Sequence, residues 1–238
     1  MIRAPAWPRA WPHRVAPPRA TAIVAVGLGL LGVAPTSLQA QLAAQGVGIV
    51  AVAEHRVDDG RGVEGSSGTL LGAEGRLFLG SRLEVFVHAA SGTLTADSAR
   101  SDDRDLAEAE FRASVVTVPW LALHAGVSTR SYGTDLVRQR WTALRFGGEA
   151  RLAFVGAGVT GVLRAEILPS VSVSGLERPN RAFAAGAGLE WRIAVLTLGL
   201  RYELERYDFP MVAGAERREQ LSVLTAHAGL RLGAPRRP

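Results

Sequence analysis

The stretch Leu196-Thr-Leu-Gly-Leu-Arg-Tyr-Glu-Leu-Glu205 alternates between apolar and polar side chains, residue by residue. A period of two places successive side chains on opposite faces of a β-strand. Four leucines and a tyrosine share one face, and the other face carries Thr197, Gly199, Arg201, Glu203 and Glu205. The stretch therefore predicts a strand with one apolar face and one face of charges and glycine.

The same alternation continues along the chain from Gln41, interrupted by clusters of Gly, Pro, Asp, Ser and Asn. Such clusters are typical of turns between strands. The pattern predicts ten strands, at residues 46–57, 69–80, 82–96, 106–118, 120–132, 140–154, 156–171, 181–193, 196–208 and 219–232. Eight strands is the alternative, because the first segment alternates weakly and the seventh could merge with its neighbour.

The predicted connections alternate between long and short. The long, polar ones are residues 58–68, 96–105, 133–139, 172–180 and 209–218, whereas residues 80–81, 119, 155 and 194–195 leave room only for tight turns. Long loops on one side and short turns on the other are the layout of a transmembrane barrel, and several segments are long enough to cross hydrocarbon. We therefore predict an all-β fold, a closed antiparallel up-and-down transmembrane β-barrel.

Glycine indicates which face of the strands points inwards. Glycines weaken strands and have no packing reason to lie on a solvated outer surface, whereas a narrow lumen filled by long arginines needs small neighbours. Charges packed away from water must also be paired. We expect a largely filled lumen with a charge network of Glu74, Arg76, Arg145, Glu149, Arg151, Arg164, Glu166, Glu190, Arg192, Arg201, Glu203 and Arg231. The alternative is a soluble periplasmic barrel with the faces reversed, binding a small apolar ligand.

Aromatic residues lie towards the predicted strand ends. Trp120, Phe154 and Trp191 fall on the turn side, and Tyr132, Trp141, Phe183 and Tyr207 fall on the loop side. Transmembrane barrels carry girdles of aromatic residues at both membrane interfaces. We expect these seven side chains to form such girdles.

The start of the chain has the features of a secretory signal peptide. Residues 1–40 contain four arginines and no acidic residue, followed by an apolar run and a small residue, Ala40, before Gln41. The expected organisation is a signal peptide at residues 1–40, a barrel at 41–233 and a short tail at 234–238; an uncleaved anchor is the alternative. Of the 27 basic residues 23 then remain, against 22 acidic ones, so the formal net charge of +5 gives no reason to expect nucleic-acid binding.

The chain resembles the broad family of small bacterial outer-membrane β-barrel proteins across nearly all of residues 41–233. The features that carry the resemblance are the signal peptide, the alternating strands and the difference in length between loops and turns. The resemblance implies a location in the bacterial outer membrane, contact with outer-membrane lipid, assembly by the barrel-insertion machinery, and a monomer. The chain departs from the family at its end, Leu230-Arg-Leu-Gly-Ala-Pro-Arg-Arg-Pro238, which lacks the final aromatic residue that often assists insertion.

Residues for catalysis or metal binding are sparse. There is no cysteine, and His55, His88, His124 and His227 are isolated outside the leader. His124 and Ser128 share a strand face but stand about 13 Å apart along it, too far for a nucleophile and its base. Glu108 and Glu110, like Glu203 and Glu205, have an arginine on the same face, so lumen ion pairing explains them better than cation binding or acid–base work.

The sequence thus predicts no catalytic residue, no metal site and no cofactor. The expected function is a non-enzymatic integral barrel with a structural role in the envelope, or with limited passage of small solutes through a narrow channel. The alternative is a barrel enzyme that acts on lipid or peptide at the cell surface, for which His124 and Ser128 or loop acids would have to converge.

Overall fold

The computed structural model describes residues 42–98, 102–134, 137–154, 158–211 and 214–233. These residues form ten strands: β1 (Leu42–Asp58), β2 (Val63–Leu79), β3 (Leu83–Ala96), β4 (Arg104–Val118), β5 (Leu121–Gly133), β6 (Arg138–Ala153), β7 (Val159–Val173), β8 (Arg181–Ile193), β9 (Leu196–Asp208) and β10 (Arg218–Leu232). Each strand pairs with the next and β1 pairs with β10, so the sheet closes into an antiparallel barrel. The predicted ten-strand, all-β barrel is confirmed, and the eight-strand alternative is wrong.

The strands are staggered around the barrel. A path along paired residues that leaves β1 at His55 passes through Glu205 on β9 and Glu166 on β7 and returns to β1 at Ala43, twelve residues away. A stagger of this size tilts the strands by about 35–45° from the barrel axis. Side chains far apart on neighbouring strands are therefore brought to the same depth in the lumen.

The two ends of the barrel differ in the direction expected, with three corrections. The tight turn predicted at residue 155 is wrong, because residues 154–158 separate β6 from β7, and the loop predicted at residues 133–139 is shorter, at residues 134–137. Residues 97–103, 174–180 and 209–217 connect strands on the loop side, and residues 80–82, 119–120 and 194–195 connect them on the turn side. The long loop predicted at residues 58–68 is wrong, because β2 already begins at Val63. The first six residues of β2, Val63-Glu-Gly-Ser-Ser-Gly68, carry small or polar side chains on both faces after Val63, so they lack the alternation that marks a strand. The predicted signal peptide and C-terminal tail lie outside the described residues.

The outer wall is apolar and the inner wall is polar. Leu71 and Ile167 are each 63% exposed on the outside, whereas Arg145 and Glu166 are 2% and 4% exposed inside. Soluble barrels have the reverse arrangement, so the exposed apolar wall is that of a membrane barrel. No helix of the described residues is long and apolar enough to cross a membrane.

Glycine is required where the inner faces of paired strands come close together. A Cβ atom added to Gly147 on β6 would lie 2.2 Å from the carbonyl oxygen of Ala165 on β7. The adjacent Gly148 faces outwards, and its nearest neighbours would be at 3.6 Å, an ordinary contact. The inward glycine therefore permits the close backbone approach on the lumen side that the outward one does not need.

Candidate functional site

The structure divides the seven aromatic residues that were predicted to form girdles. Trp120, Phe154, Phe183 and Trp191 are exposed on the outer surface near strand ends, whereas Tyr132, Trp141 and Tyr207 are buried inside the barrel. The girdle assignment is wrong for these three. Each lies an even number of residues from a charged, inward-facing residue of its own strand, so the alternation of side chains turns it into the lumen.

These three residues belong to an aromatic plug at the loop side of the lumen, which we define as His55, Tyr132, Trp141, Tyr207 and Phe209. The His55 ring stacks on Tyr132 with centroids 4.5 Å apart, and Trp141 makes edge contacts with Tyr132, Tyr207 and Phe209 at 4.9–6.3 Å. Edge-to-face packing at these distances is favourable for aromatic rings. The plug therefore fills the lumen from wall to wall among β1, β5, β6 and β9.

A closed ring of alternating acids and bases lies deeper in the lumen, connected to the plug through Tyr207. The Tyr207 hydroxyl donates a hydrogen bond of 2.7 Å to Glu205 of the ring. In order, the members of this charge ring are Glu108, Arg130, Glu205, Arg145, Glu166, Arg164, Glu203, Arg201, Glu74 and His88.

Each member of the charge ring contacts the next. Nine of the ten links measure 2.5–3.5 Å between nitrogen and oxygen, and the tenth joins Arg201 to Glu74. The members come from seven strands, β2 to β7 and β9. Because each base in the ring is shared by two acids, no charge within it is left isolated, as burial in the lumen requires.

Glu166 is the most enclosed carboxylate of the ring. It accepts hydrogen bonds from His124 at 2.8 Å and Arg145 at 2.7 Å, and Arg112 and Arg164 lie 3.5 and 3.4 Å away. Its side chain is completely buried. Four cationic or hydrogen-bonding groups thus compensate the removal of one carboxylate from water.

A second cluster continues the network towards the turn side. The guanidinium groups of Arg112 and Arg76 lie over the ring of Phe86, at 4.4 and 5.4 Å from its centroid. Glu84 pairs with Arg76 and Arg151 at 3.6 and 3.3 Å. The guanidinium groups therefore have both an aromatic face and a carboxylate as partners, which stabilises them away from bulk water.

A small cavity remains between the plug and the charge ring. The space open to the centres of water molecules is about 50 Å³, and nine members of the charge ring line it together with Trp141 and Tyr207. One water needs roughly 10–15 Å³ of such space, so the cavity holds about three to five waters. Two atoms in its wall, Arg201 Nε and Glu203 Oε1, lie 3.3 Å apart as an ion pair without hydrogen-bond geometry between them.

The histidines take part in the lumen network. His88 Nε2 lies 3.2 Å from Glu108, and His55 Nε2 lies 3.1 Å from Glu219. The structure does not bring His124 and Ser128 together, since His124 contacts Glu166 and the Ser128 hydroxyl faces Arg145 at 3.4 Å. Among the described residues there is no group of three or more acids and histidines that could hold a metal ion.

The structure places all twelve residues of the predicted charge network on the inner face. Eight of them lie in the charge ring or the turn-side cluster. Glu149 pairs with Arg151 at 2.7 Å and Glu190 with Arg76 at 3.7 Å; Arg192 contacts Glu190 at 3.6 Å, and Arg231 lies over Phe78 at 4.7 Å. Sequence reasoning missed Arg130 and Glu84. The alternation could have found both, because Arg130 lies two residues from Tyr132 and Glu84 two from Phe86, each pair on one face.

No protein-family model matches the chain, and no curated protein matches it. Solved structures do match. The outer membrane protease OmpT from Escherichia coli is similar with a TM-score of 0.50 and 8% identity, over 80% of this chain and 96% of that chain. The fold is that of a bacterial outer-membrane β-barrel. With so low an identity, the similarity concerns the fold alone.

Two further structures are similar to this outer-membrane barrel. The attachment invasion locus protein Ail of Yersinia pestis has a TM-score of 0.33 and 13% identity, over 79% of this chain and 98% of that one. The translocator domain of the autotransporter NalP from Neisseria meningitidis has a TM-score of 0.37 and 13% identity, over 79% and 88%. The resemblance predicted from the sequence is confirmed as an architectural one, and the predicted location in the bacterial outer membrane agrees with it.

Proposed function

We propose that this chain is a closed, non-enzymatic integral barrel of the outer membrane with a structural role in the envelope. The observation that supports this proposal is the occupied lumen, in which the aromatic plug and the charge ring leave a cavity of only about 50 Å³. Solutes larger than a few waters would have to displace several buried ion pairs, each held by more than one partner. Passage through the barrel is therefore limited at most to very small solutes.

The partners that this proposal requires are the outer-membrane lipid around the apolar wall and the machinery that inserts barrels. We infer a monomer, because the sheet closes on itself and leaves no wall for a second copy to complete.

Conductance in planar bilayers tests the closed lumen. We expect the wild-type barrel to give no discrete conductance steps. A triple variant, W141A with R145S and E205S, removes the centre of the plug and one link of the charge ring. It should give conductance steps, because the cavity then joins the two ends of the lumen in one open path. T142A, on the outer face beside Trp141, is the matched control and should stay silent. Steps in the wild-type barrel would identify a narrow channel instead.

Hydrolysis assays test the non-enzymatic part of the proposal. His124 is held by Glu166 and Ser128 faces Arg145, so neither is placed to activate the other. We expect purified barrel to hydrolyse neither peptide nor lipid-ester substrates, and the H124A variant to be indistinguishable from wild type. Hydrolysis by the wild type that H124A abolishes would contradict the proposal.

A further inference from the structure

The outer face of the barrel carries a row of arginines at the loop-side end of four neighbouring strands. We define the arginine row as Arg56 on β1, Arg218 on β10, Arg206 on β9 and Arg181 on β8. All four point outwards, since the residues next to them, His55, Glu219, Tyr207 and Ala182, lie on the inner face. Three strand spacings of about 4.8 Å give the row a length of roughly 14 Å.

Two of the acids near the arginine row, Asp208 and Asp58, already accept hydrogen bonds within the protein. One oxygen of Asp208 accepts from Nε of Arg206 at 3.0 Å and from Nε of Arg218 at 3.1 Å, which holds the two guanidinium groups side by side. Asp58 accepts the backbone N–H of Gly60 at 3.0 Å in the following turn. Glu54 is the remaining carboxylate on this part of the outer face.

Two of the arginines have no partner in the part of the chain that the structure describes. Arg56 and Arg181 form no ion pair or side-chain hydrogen bond with any described residue. Both residues are exposed. The row therefore presents guanidinium groups that an external anion can reach without breaking an internal bond.

On β8 and β9 the row lies directly at the edge of the apolar outer wall, because the next outward-facing residues towards the turn side are Phe183 and Leu204. On β1 and β10 the polar residues Glu54, Gln220 and Ser222 lie between the row and the apolar Val52 and Leu224. On β2 to β5 the outward positions near the loop-side end carry no cation among the described residues, whereas β6 carries two further exposed, outward-facing arginines, Arg138 and Arg140. The arginine row differs from this pair because it runs over four neighbouring strands.

We propose that the arginine row binds the phosphate groups of a phosphorylated lipid headgroup in the outer leaflet. Guanidinium groups bind phosphate through two parallel hydrogen bonds. A lipid whose acyl chains lie against Phe183 and Leu204 places its headgroup at the height of the arginines, which favours a lipid over free phosphate. The length of the row accommodates more than one phosphate.

Native mass spectrometry of the purified full-length mature barrel, titrated with diphosphoryl lipid A, tests this site. The R56Q/R181Q variant removes the two unpartnered arginines and breaks no described ion pair. R61Q/R82Q removes the same charge from two exposed arginines outside the row and is the matched control. We expect R56Q/R181Q to bind lipid A roughly thirtyfold more weakly, which is two cations at about 1 kcal/mol each near a charged lipid surface, and the control pair to bind like wild type.

Two further measurements distinguish binding of a phosphorylated lipid from binding of free phosphate. Dephosphorylated lipid A should bind weakly to every variant, and millimolar inorganic phosphate should not displace lipid A from the wild-type barrel. The single variants R56Q and R181Q, each with an intermediate loss, cover the case in which the double variant fails to fold. Equal losses in both double variants, equal binding of the dephosphorylated lipid, or displacement by inorganic phosphate would each overturn the proposal.

Discussion

Four side chains converge on Glu166, and this residue shows what holds the lumen together. His124, Arg145, Arg112 and Arg164 lie 2.5–3.5 Å from its oxygens. Removing one member of a buried ion pair leaves the other charges uncompensated, which is far more costly than losing an exposed pair. Loss of the Glu166 charge should therefore cost far more stability than loss of an exposed carboxylate.

We expect E166Q to lower the free energy of unfolding by about 3–5 kcal/mol, because three arginines lose a shared countercharge in a buried site. Urea titration of the barrel in lipid vesicles, followed by the mobility of unboiled protein on SDS gels, measures this change. The matched control is E177Q in an exposed loop, which should change stability by less than about 0.5 kcal/mol. Similar effects of the two substitutions would show that Glu166 is not a stabilising centre.

Asp59, in the loop between β1 and β2, provides a prediction of pH dependence. Its carboxylate accepts the backbone N–H groups of Arg61 and Gly62, both at 2.9 Å, and these bonds lower the pKa of Asp59 below its ordinary value. A lowered pKa in the folded state means that the charged form stabilises the loop above the ordinary pKa and that this stabilisation is lost as the pH falls through the folded pKa. NMR titration should give a midpoint below that of an aspartate in an unstructured peptide, and in D59A the amide of Gly62 should exchange faster at neutral pH.

At the scale of the strand, alternation decides which face each side chain occupies, and Trp141 is the sharpest example. Arg145, Glu149 and Arg151 are separated from Trp141 by even numbers of residues, so all four face the lumen. Brominated acyl chains quench only tryptophans that face lipid. In a barrel that begins at Gln41, we expect the W120F/W191F variant, which retains Trp141, to be unquenched.

The matched variant W120F/W141F retains Trp191 on the outer wall and should be strongly quenched by the same lipids. Quenching of Trp141 to the level of Trp191 would mean that the Trp141 side chain faces lipid and belongs to an outer aromatic girdle. The comparison is internal to one protein, because both residues lie on strands and differ mainly in the face that they occupy.

Adjacent glycines on β6 give a second comparison at this scale. An added Cβ at Gly147 would meet the Ala165 carbonyl oxygen at 2.2 Å, whereas at Gly148 the nearest atoms lie at 3.6 Å. We expect G147A to destabilise the barrel by about 1–3 kcal/mol through backbone displacement and G148A to be close to neutral. Urea titration of both variants measures the difference, and equal stabilities would show that β6 and β7 can separate at no cost.

The strands were predictable from the sequence because one face of each meets lipid and must be apolar. Nine of the ten predicted strand starts lie within four residues of the observed ones. The start of β2 was predicted six residues too late, because Val63-Glu-Gly-Ser-Ser-Gly68 lies beyond the apolar wall and has no apolar face. The partners of the lumen charges were not predictable. Arg130 meets Glu205, 75 residues away, because of the twelve-residue stagger and the length of both side chains, and neither follows from local pattern.

At the scale of the whole molecule, the lumen is closed by filled volume as well as by charge. The link between Arg145 and Glu205, at 2.5 Å, joins β6 to β9 across the lumen. Long apolar side chains of similar volume can replace a buried ion pair with little loss when both partners are exchanged together. Charge pairing and closure of the lumen can therefore be separated by substitution.

We expect R145M/E205M to keep the barrel closed, with no conductance steps, because methionine fills most of the volume of each side chain it replaces. R145M and E205M alone should each lower the free energy of unfolding, and the double variant should lose less than the sum of the two single losses, with a coupling of about 0.5–3 kcal/mol. Urea titration of the four proteins and bilayer recordings of the double variant measure both quantities. Conductance steps in R145M/E205M would mean that paired charges, and not the filled volume, keep the lumen shut.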